Sequence, residues 1–228
     1  TLDLFDLSRG HGVKRFVFAS TCSNYGQMPD PSQLATEESE LRPISLYAET
    51  KVAVERALLD FGAGTGPGVT VLRIATLFGL SPRMRFDLTV NHFAAEMLTK
   101  HYLQVYGEQF WRPYVHVCDA AKAIAMTLDA SPDLVKDQVF NVGDTGQNYQ
   151  KRQLVQLVND SIGTSAAVDF VHKDEDPRDY RVSFEKIKSA NTKGSARFQG
   201  FLLHSNRPVS RTWSSNGTKC ASHVLYKE

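Results

Sequence analysis

Three segments decide the fold: RFVFAS at residues 15–20, SLYAETKVAVERALLDF at residues 45–61 and VTVLRIA at residues 69–75. The first and third are short and rich in β-branched and aromatic residues, as in strands that are buried on both faces of a parallel sheet. The middle segment carries apolar residues at helical spacing, and glycines follow it. A strand, a helix and a second strand joined in this way form a βαβ unit. The sequence therefore predicts an α/β protein with a doubly wound parallel sheet.

The same alternation of strands and helices extends to both sides of these segments. Residues 2–7 are typical of the end of a helix, which glycines at 10 and 12 close. Downstream, the patterns predict a helix at 88–98, strands at 103–106 and 114–117, a helix capped by Asp119 that runs to about 128, a strand at 139–142 and a helix at 150–162.

Composition and charge exclude several classes of protein. The chain has 228 residues with 26 basic and 25 acidic side chains, so its formal net charge is +1, whereas a nucleic-acid-binding domain is normally strongly basic. No apolar run approaches the roughly 18 residues that a membrane-spanning helix needs. Three scattered cysteines fit neither a disulfide framework nor a metal site. We expect a cytoplasmic protein that binds no nucleic acid, no membrane and no metal ion.

Tyr47 and Lys51 are the clearest candidates for chemistry. They stand four residues apart near the start of the predicted helix, so both project from the same face. Tyrosine normally titrates at a pKa of about 10, and a neighbouring ammonium group lowers that pKa toward the range of a general base. Ser20, Thr21 and Ser23 follow the carboxyl end of a strand, where open α/β sheets bind ligands, and a hydroxyl there would complete a proton-transfer group. From the spacing alone, a solvated surface pair remains the competing interpretation.

Five ordered motifs carry a resemblance to a known family. They are FVFASTCSNYG at 16–26, PISLYAETK at 43–51, RIATLFG at 73–79, RPYVHVCDAA at 112–121 and FNVG at 140–143. Together they resemble the extended short-chain dehydrogenase/reductase family, which comprises the NAD-dependent sugar-nucleotide epimerases and dehydratases. The resemblance covers residues 1 to about 188 and implies a Rossmann-type sheet, the cofactor NAD and a nucleotide-diphosphate sugar as substrate.

The resemblance also implies roles for individual residues. Thr21 would bond to the reacting oxygen of the sugar, and Tyr47 would be the catalytic acid and base. Lys51 would hold the nicotinamide ribose and lower the pKa of Tyr47. Arg112 and Arg178, the latter in the looser motif DPRD at 176–179, would bind the nucleotide diphosphate. A surface ion pair remains the alternative for both arginines.

This sequence departs from the family pattern at its start and in its C-terminal tail, which lacks the pattern of a closing helix. A Rossmann-type fold opens with a strand, a glycine-rich turn and a helix that receives the pyrophosphate, yet no G-x-G-x-x-G follows a strand here. We therefore expect the first βαβ units to be missing and the chain alone not to bind NAD measurably. The predicted organisation is the C-terminal part of the NAD-binding domain at 1–80, mainly a substrate-binding region with elements returning to the core at 81–188, and an irregular tail, disordered or frame-shifted, at 189–228.

The turn after Thr21 bears on the reaction. The family's 4,6-dehydratases carry an Asp-Glu pair directly after the catalytic threonine, where this chain has Cys22 and Ser23. Those side chains cannot replace two carboxylates at neutral pH, so the sequence favours a simple 4-epimerase. A 4-ketoreductase or a dehydratase of the same family, and a non-catalytic NAD-sensing or scaffold protein on this fold, remain alternatives. We expect the full-length parent to be a homodimer, Cys22 to be a small buried thiol and His116 to be a packed strand residue.

Overall fold

The computed structural model describes residues 1–30, 32–62, 66–174 and 178–193. Its helices are α1 Leu2–Gly10, α2 Leu46–Gly62, α3 Thr89–Lys100, α4 Val117–Asp129, α5 Pro132–Val135, α6 Lys151–Ile162 and α7 Glu185–Lys193. Its strands are β1 Arg15–Thr21, β2 Gly68–Ile74, β3 Thr76–Phe78, β4 Tyr102–Tyr106, β5 Trp111–His116, β6 Gln138–Val142, β7 Asn148–Gln150 and β8 Ala167–Val171. Short 3-10 turns lie at Cys22–Tyr25 and Thr145–Gln147.

The sheet that positions the site is parallel and has the strand order β1-β2-β6. Thr21 pairs with Ile74 and Ile74 pairs with Val142, so the carboxyl ends of the three strands lie level at one edge. Helix α2 covers one face of this sheet, where Leu58 is fully buried together with Val69 and Val71 of β2. The predicted α/β fold with parallel strands is confirmed.

The opposite face of the sheet is covered by α4 and by the segment that leads into α7. Ala120 and Ala123 of α4 pack in one cluster with Leu72 and Phe140 of the sheet. Small residues on α4 let that helix approach the strands closely. Both faces of β2 are therefore buried, which accounts for its unbroken apolar pattern.

A second group of strands lies beside this sheet. Strand β3 pairs parallel with β5, β5 pairs antiparallel with β7, and β4 pairs parallel with β8. Helices α3 and α6 pack against them through buried residues such as Met97 and Leu154. Among the described residues, no helix has both the length and the apolar character needed to cross a membrane.

The predicted cap of α4 is wrong. The helix begins at Val117 and its N-cap is His116, whose ring Nδ1 accepts a hydrogen bond from the backbone N–H of Cys118 at 3.2 Å. Asp119 lies instead in the first turn, where a carboxylate still complements the positive end of the helix dipole. His116 is buried at the end of β5, as expected, and also caps the helix.

Five elements were not predicted: β3, α5, β7, β8 and α7. They are short or polar, and β8 has an exposed, weakly alternating pattern that periodicity does not detect. The predicted irregular tail begins at Ser189, but α7 continues to Lys193. Residues 194–228 lie outside the described residues.

Candidate active site

Thr21 is the last residue of β1 and begins the turn at the carboxyl edge of the sheet. Its Oγ1 accepts a hydrogen bond from the backbone N–H of Ser23 at 3.1 Å and thereby caps the 3-10 turn Cys22–Tyr25. Gly26 ends the turn with a φ of 64°, and a Cβ there would lie 1.8 Å from the carbonyl oxygen of Arg42. Only glycine fits this position, so the turn after Thr21 is fixed at both ends.

Tyr47 lies in the first turn of α2, next to the edge of the sheet that Thr21 occupies. The backbone N–H of Ala48 donates to Ser45 Oγ at 3.2 Å, which satisfies one of the free N–H groups at the start of the helix. Tyr47 is 55% exposed, so its ring is open to a ligand.

Lys51 connects this helix to strand β1. Its Nζ donates to the carbonyl oxygen of Ala19 at 2.6 Å, and the same Nζ lies 4.7 Å from the centroid of the Phe18 ring and 5.8 Å from that of Tyr47. Ala19 is two residues before Thr21 on β1. The structure therefore brings Lys51 against Tyr47 and against the strand that ends in Thr21.

The environment of Lys51 changes its acidity. Partial burial lowers the pKa of Lys51, and the nearby carboxylate of Glu55 opposes that change by favouring the ammonium form. A lysine with a lowered pKa loses its charge at a less alkaline pH than a fully solvated lysine.

Arg112 is buried on β5, which argues against the alternative of a surface ion pair. Its guanidinium carbon lies 5.6 Å from the centroid of the Tyr180 ring. Tyr180 is itself buried, and its hydroxyl is hydrogen-bonded to Ser23 Oγ at 3.3 Å. Tyr180 therefore links Arg112 to the turn that follows Thr21.

Arg178 lies on a segment that runs beside the start of β5. The backbone N–H of Trp111 donates to Asp179 Oδ1 at 2.8 Å, and the backbone N–H of Tyr180 donates to the carbonyl of Trp111 at 3.3 Å. Arg178 itself is exposed. The two predicted diphosphate arginines thus lie on neighbouring segments, although their roles stay predictions.

Sequence reasoning missed a cavity of about 220 Å³ behind β3, lined by Arg83, Arg85 and Asn91 among others. Asn91 holds the loop because its Oδ1 accepts from the backbone N–H of Gly79 at 3.1 Å and its Nδ2 donates to the carbonyl of Arg85 at 3.1 Å. Hydrogen bonding to Asp87 is the main cause that raises the pKa of Arg85, and the phenol of Tyr47 contributes. In the sequence, the two arginines in the run SPRMR at 81–85, just after the motif RIATLFG, could have indicated this cavity.

The described residues offer no group of three or more His, Cys, Asp or Glu side chains that could hold a metal ion. What the arrangement does offer is a phenol, an ammonium group and a hydroxyl at one sheet edge, with a buried arginine nearby. That set suits proton transfer at an alcohol next to an anionic group.

A sequence profile described as the NAD dependent epimerase/dehydratase family matches residues 1–143. The chain belongs to this family. The matched residues run from the start of the chain to just after β6, so they include the three parallel strands and Thr21, Tyr47 and Lys51. The family resemblance carried by the sequence motifs is confirmed.

Curated relatives of the chain include two kinds of enzyme. It is 27% identical over 201 residues to UDP-glucose 4-epimerase of Corynebacterium glutamicum, covering 82% of this chain and 60% of that protein. It is 29% identical over 197 residues to UDP-glucuronic acid decarboxylase 1 of Arabidopsis thaliana, covering 82% of this chain and 43% of that protein. The chain thus spans about half the length of these relatives.

A solved structure supports the fold. The UDP-glucose 4-epimerase of Thermus thermophilus, crystallised in complex with NAD, matches with a TM-score of 0.70 at 25% identity, covering 93% of this chain and 66% of that chain. The doubly wound architecture predicted from three short segments is therefore shared with a family member.

Proposed function

We propose that this protein is an NAD-dependent nucleotide-sugar 4-epimerase. The observation that carries the proposal is the hydrogen bond of 2.6 Å from Lys51 Nζ to the carbonyl of Ala19, because it holds Tyr47 and Lys51 beside the strand end that carries Thr21. In this arrangement a sugar hydroxyl bound between Thr21 and Tyr47 would meet a proton acceptor and a hydrogen-bonding hydroxyl together.

Each of the three side chains has a distinct task in this proposal. Tyr47 takes the proton from the C4 hydroxyl of the sugar and later returns a proton to the same oxygen. Thr21 donates a hydrogen bond that orients this oxygen. The ammonium group of Lys51 lies 5.8 Å from the centroid of the Tyr47 ring and offers hydrogen bonds to the ribose of a bound nicotinamide nucleotide.

NAD fits one part of the described residues. Lys51 and Tyr47 would hold its nicotinamide ribose at the carboxyl edge of β1, which is where doubly wound sheets bind such ligands. When bound, NAD supplies the oxidation of the C4 carbon and the reduction that follows it. The sequence contains no glycine-rich turn of the kind that receives a pyrophosphate, so the described residues account for the nicotinamide end only.

The turn after Thr21 supports epimerisation over dehydration. Cys22 is buried and its thiol donates to the carbonyl of Arg73 at 3.2 Å, while burial raises its pKa, so this thiol stays protonated. The hydroxyl of Ser23 is hydrogen-bonded to Tyr180. Neither side chain supplies an acid or a base for the elimination of water.

Similarity to UDP-glucuronic acid decarboxylase 1 favours a second candidate function. Oxidation at C4 of a sugar whose C6 is a carboxylate produces a β-keto acid, which loses carbon dioxide readily. The same Thr21, Tyr47 and Lys51 would serve that oxidation and the reduction of the C4 ketone that remains after carbon dioxide is lost. A 4-ketoreductase would also use these three residues.

The test is an assay of the complete gene product, of which these 228 residues are all or part. We expect UDP-glucose and NAD to yield UDP-galactose, measured by NMR of the anomeric and C4 protons, with Tyr47→Phe as the inactive control. Release of carbon dioxide from UDP-glucuronic acid, without epimerisation of UDP-glucose, would favour the second candidate. NAD binding without turnover of any nucleotide sugar would contradict both and favour the sensor or scaffold.

A further inference from the structure

Glu55 is a buried carboxylate that the proposed reaction does not use. It lies two helical turns after Tyr47 and one after Lys51 on α2, and only 1% of its surface is exposed. Charged side chains are rarely buried this completely unless they are paired. The burial of Glu55 therefore depends on the groups that bind its two oxygens.

The carboxylate of Glu55 binds three separate parts of the chain. It forms an ion pair with Arg73 of β2, in which Arg73 Nη2 donates to Glu55 Oε2 at 2.8 Å and Nε donates to the same oxygen at 3.1 Å. Ser20, directly before Thr21, donates its hydroxyl to Glu55 Oε1. Asn24 of the turn that follows Thr21 donates its Nδ2 to Oε1 at 2.7 Å.

These contacts enclose the short segment that contains Thr21. Ser20 and Asn24 lie on either side of it, one at the end of β1 and the other in the 3-10 turn, and both hydrogen-bond to one oxygen of Glu55. Nearer the start of the helix, Lys51 donates to Ala19 of the same strand. Helix α2 is thus attached to β1 at two points that are one helical turn apart.

Arg73 extends this arrangement to the rest of the sheet. Its Nη1 donates to the hydroxyl of Tyr25 at 3.1 Å, and that hydroxyl donates to Asn141 Oδ1 of β6 at 2.6 Å. Burial disfavours the charged guanidinium, but the hydrogen bonds and charges of Glu55 and Tyr25 outweigh it and raise the pKa of Arg73. The guanidinium therefore stays charged, and the pair joins α2 to all three strands.

We propose that Glu55 is a positioning residue that aligns Tyr47 and Lys51 on α2 with Thr21 at the end of β1. The proposal rests on the proposed function for its catalytic consequence, but its structural part concerns only contacts within the described residues. Buried ion pairs contribute little net stability compared with apolar residues of similar size, so a role in alignment explains the pair better than a role in stability.

The titratable groups around these side chains belong to a small number of elements. Tyr47 and Glu55 face Lys51 from its own helix, whereas β1 presents the Ala19 carbonyl and the Phe18 ring. Around Glu55 and Arg73 lie the phenol of Tyr25, the thiol of Cys22 and the carboxylate of Glu37, whose backbone carbonyl accepts from Arg73 Nη1 at 3.2 Å. Since Glu55 is the carboxylate that acts on the pKa of Lys51, the rate at which the Lys51 amine reacts with a labelling reagent reports on Glu55.

The test compares the rate at which an amine-reactive reagent labels Lys51, measured by mass spectrometry, in the wild type and in three variants. Glu55→Met combined with Arg73→Met removes both charges and keeps an apolar interior, so we expect this variant to fold. Glu55→Gln keeps one acceptor oxygen and removes the charge. Glu49→Gln alters an exposed carboxylate on the same helix and is the matched control. Exposed Lys14 serves as the internal reference for labelling.

In the double variant we expect Lys51 to be labelled at the rate of Lys14, with a thermal unfolding midpoint close to that of the wild type. We also expect kcat to fall by about 10²-fold with little change in KM, because a small misplacement of reactive groups slows the reaction without removing binding contacts. In Glu55→Gln the pH midpoint of Lys51 labelling should move to lower pH, since the carboxylate no longer favours the ammonium form.

Wild-type labelling of Lys51 or a wild-type kcat in the folded double variant would overturn the proposal. If that variant does not fold, an unmoved pH midpoint in Glu55→Gln would overturn it. A wild-type protein without activity on any nucleotide sugar would contradict the proposed function alone, because the labelling of Lys51 still decides whether Glu55 positions the helix.

Discussion

The first and third turns of helix α2 place side chains in opposite environments. Tyr47 is 55% exposed, whereas Glu55, eight residues later on the same face, is 1% exposed and paired with Arg73. Lys51 lies between them, partly buried, with its amine on the carbonyl of Ala19. In the two proposals the exposed end of the helix meets the ligand, while the buried end sets its position. The two proposals thus assign chemistry and alignment to different ends of one helix.

Replacing Tyr47 by phenylalanine should give the largest effect on rate. The change removes only the hydroxyl, so we expect kcat to fall by about 10²- to 10⁴-fold, the range of general acid–base catalysis. Because the side chain is exposed, the free energy of unfolding should change by less than about 0.5 kcal/mol. Steady-state kinetics and urea unfolding measure the two quantities. Near-normal turnover would refute the catalytic assignment.

Replacing Arg73 by methionine should give the largest effect on stability at the buried end. It leaves the carboxylate of Glu55 without its cation, and breaking a buried pair in this way costs about 3–5 kcal/mol. Urea unfolding monitored by circular dichroism checks this value. The double variant with Glu55→Met should recover most of the loss, and equal losses in the single and double variants would contradict the pairing.

Replacing Lys51 by alanine tests the residue that lies between the two ends. We expect both NAD affinity and kcat to fall by about tenfold to a hundredfold, because Lys51 offers charged hydrogen bonds to the ribose and places its ammonium group beside the ring of Tyr47. Calorimetric titration of the complete gene product with NAD and its steady-state kinetics measure the two effects. An unchanged affinity for NAD would show that Lys51 does not reach the ribose.

Replacing Arg112 by alanine should give the smallest effect of the four substitutions, because Arg112 lies on β5 and not on helix α2. We expect the dissociation constant for the nucleotide sugar to rise by about tenfold, since a charge-assisted hydrogen bond to the diphosphate is lost, while NAD affinity stays the same. Separate titrations of the wild type and the variant should compare the binding of UDP-glucose with the binding of free glucose. A similar loss for a sugar without a diphosphate would argue against the role.

The sequence predicted the parts of the fold that depend on local patterns. Strand β1, helix α2 and strand β2 have strong periodicity, and the spacing of Tyr47 and Lys51 follows from helix geometry alone. The link from Ser23 to Tyr180 joins residues 157 positions apart, and no local pattern predicts such a contact. Contacts of this kind depend on how the second group of strands packs.

Glu55 and Arg73 mark an intermediate case. Each is a charged residue at a position where the pattern of its helix or strand predicts burial, and a buried charge requires a partner. The sequence pattern could therefore have predicted an ion pair between these two residues. That Ser20 and Asn24 would share the same carboxylate was not, because it depends on the path of the turn after β1.

The most direct test of the central claim follows the hydrogen at C4 of the substrate. UDP-glucose that carries deuterium at C4 should be incubated with the complete gene product and NAD, and the products analysed by proton NMR and mass spectrometry. An NAD-dependent 4-epimerase that uses Tyr47 only for the hydroxyl proton should yield UDP-galactose with the deuterium retained at C4. Loss of the deuterium to solvent, or the absence of UDP-galactose when NAD is bound, would contradict the account.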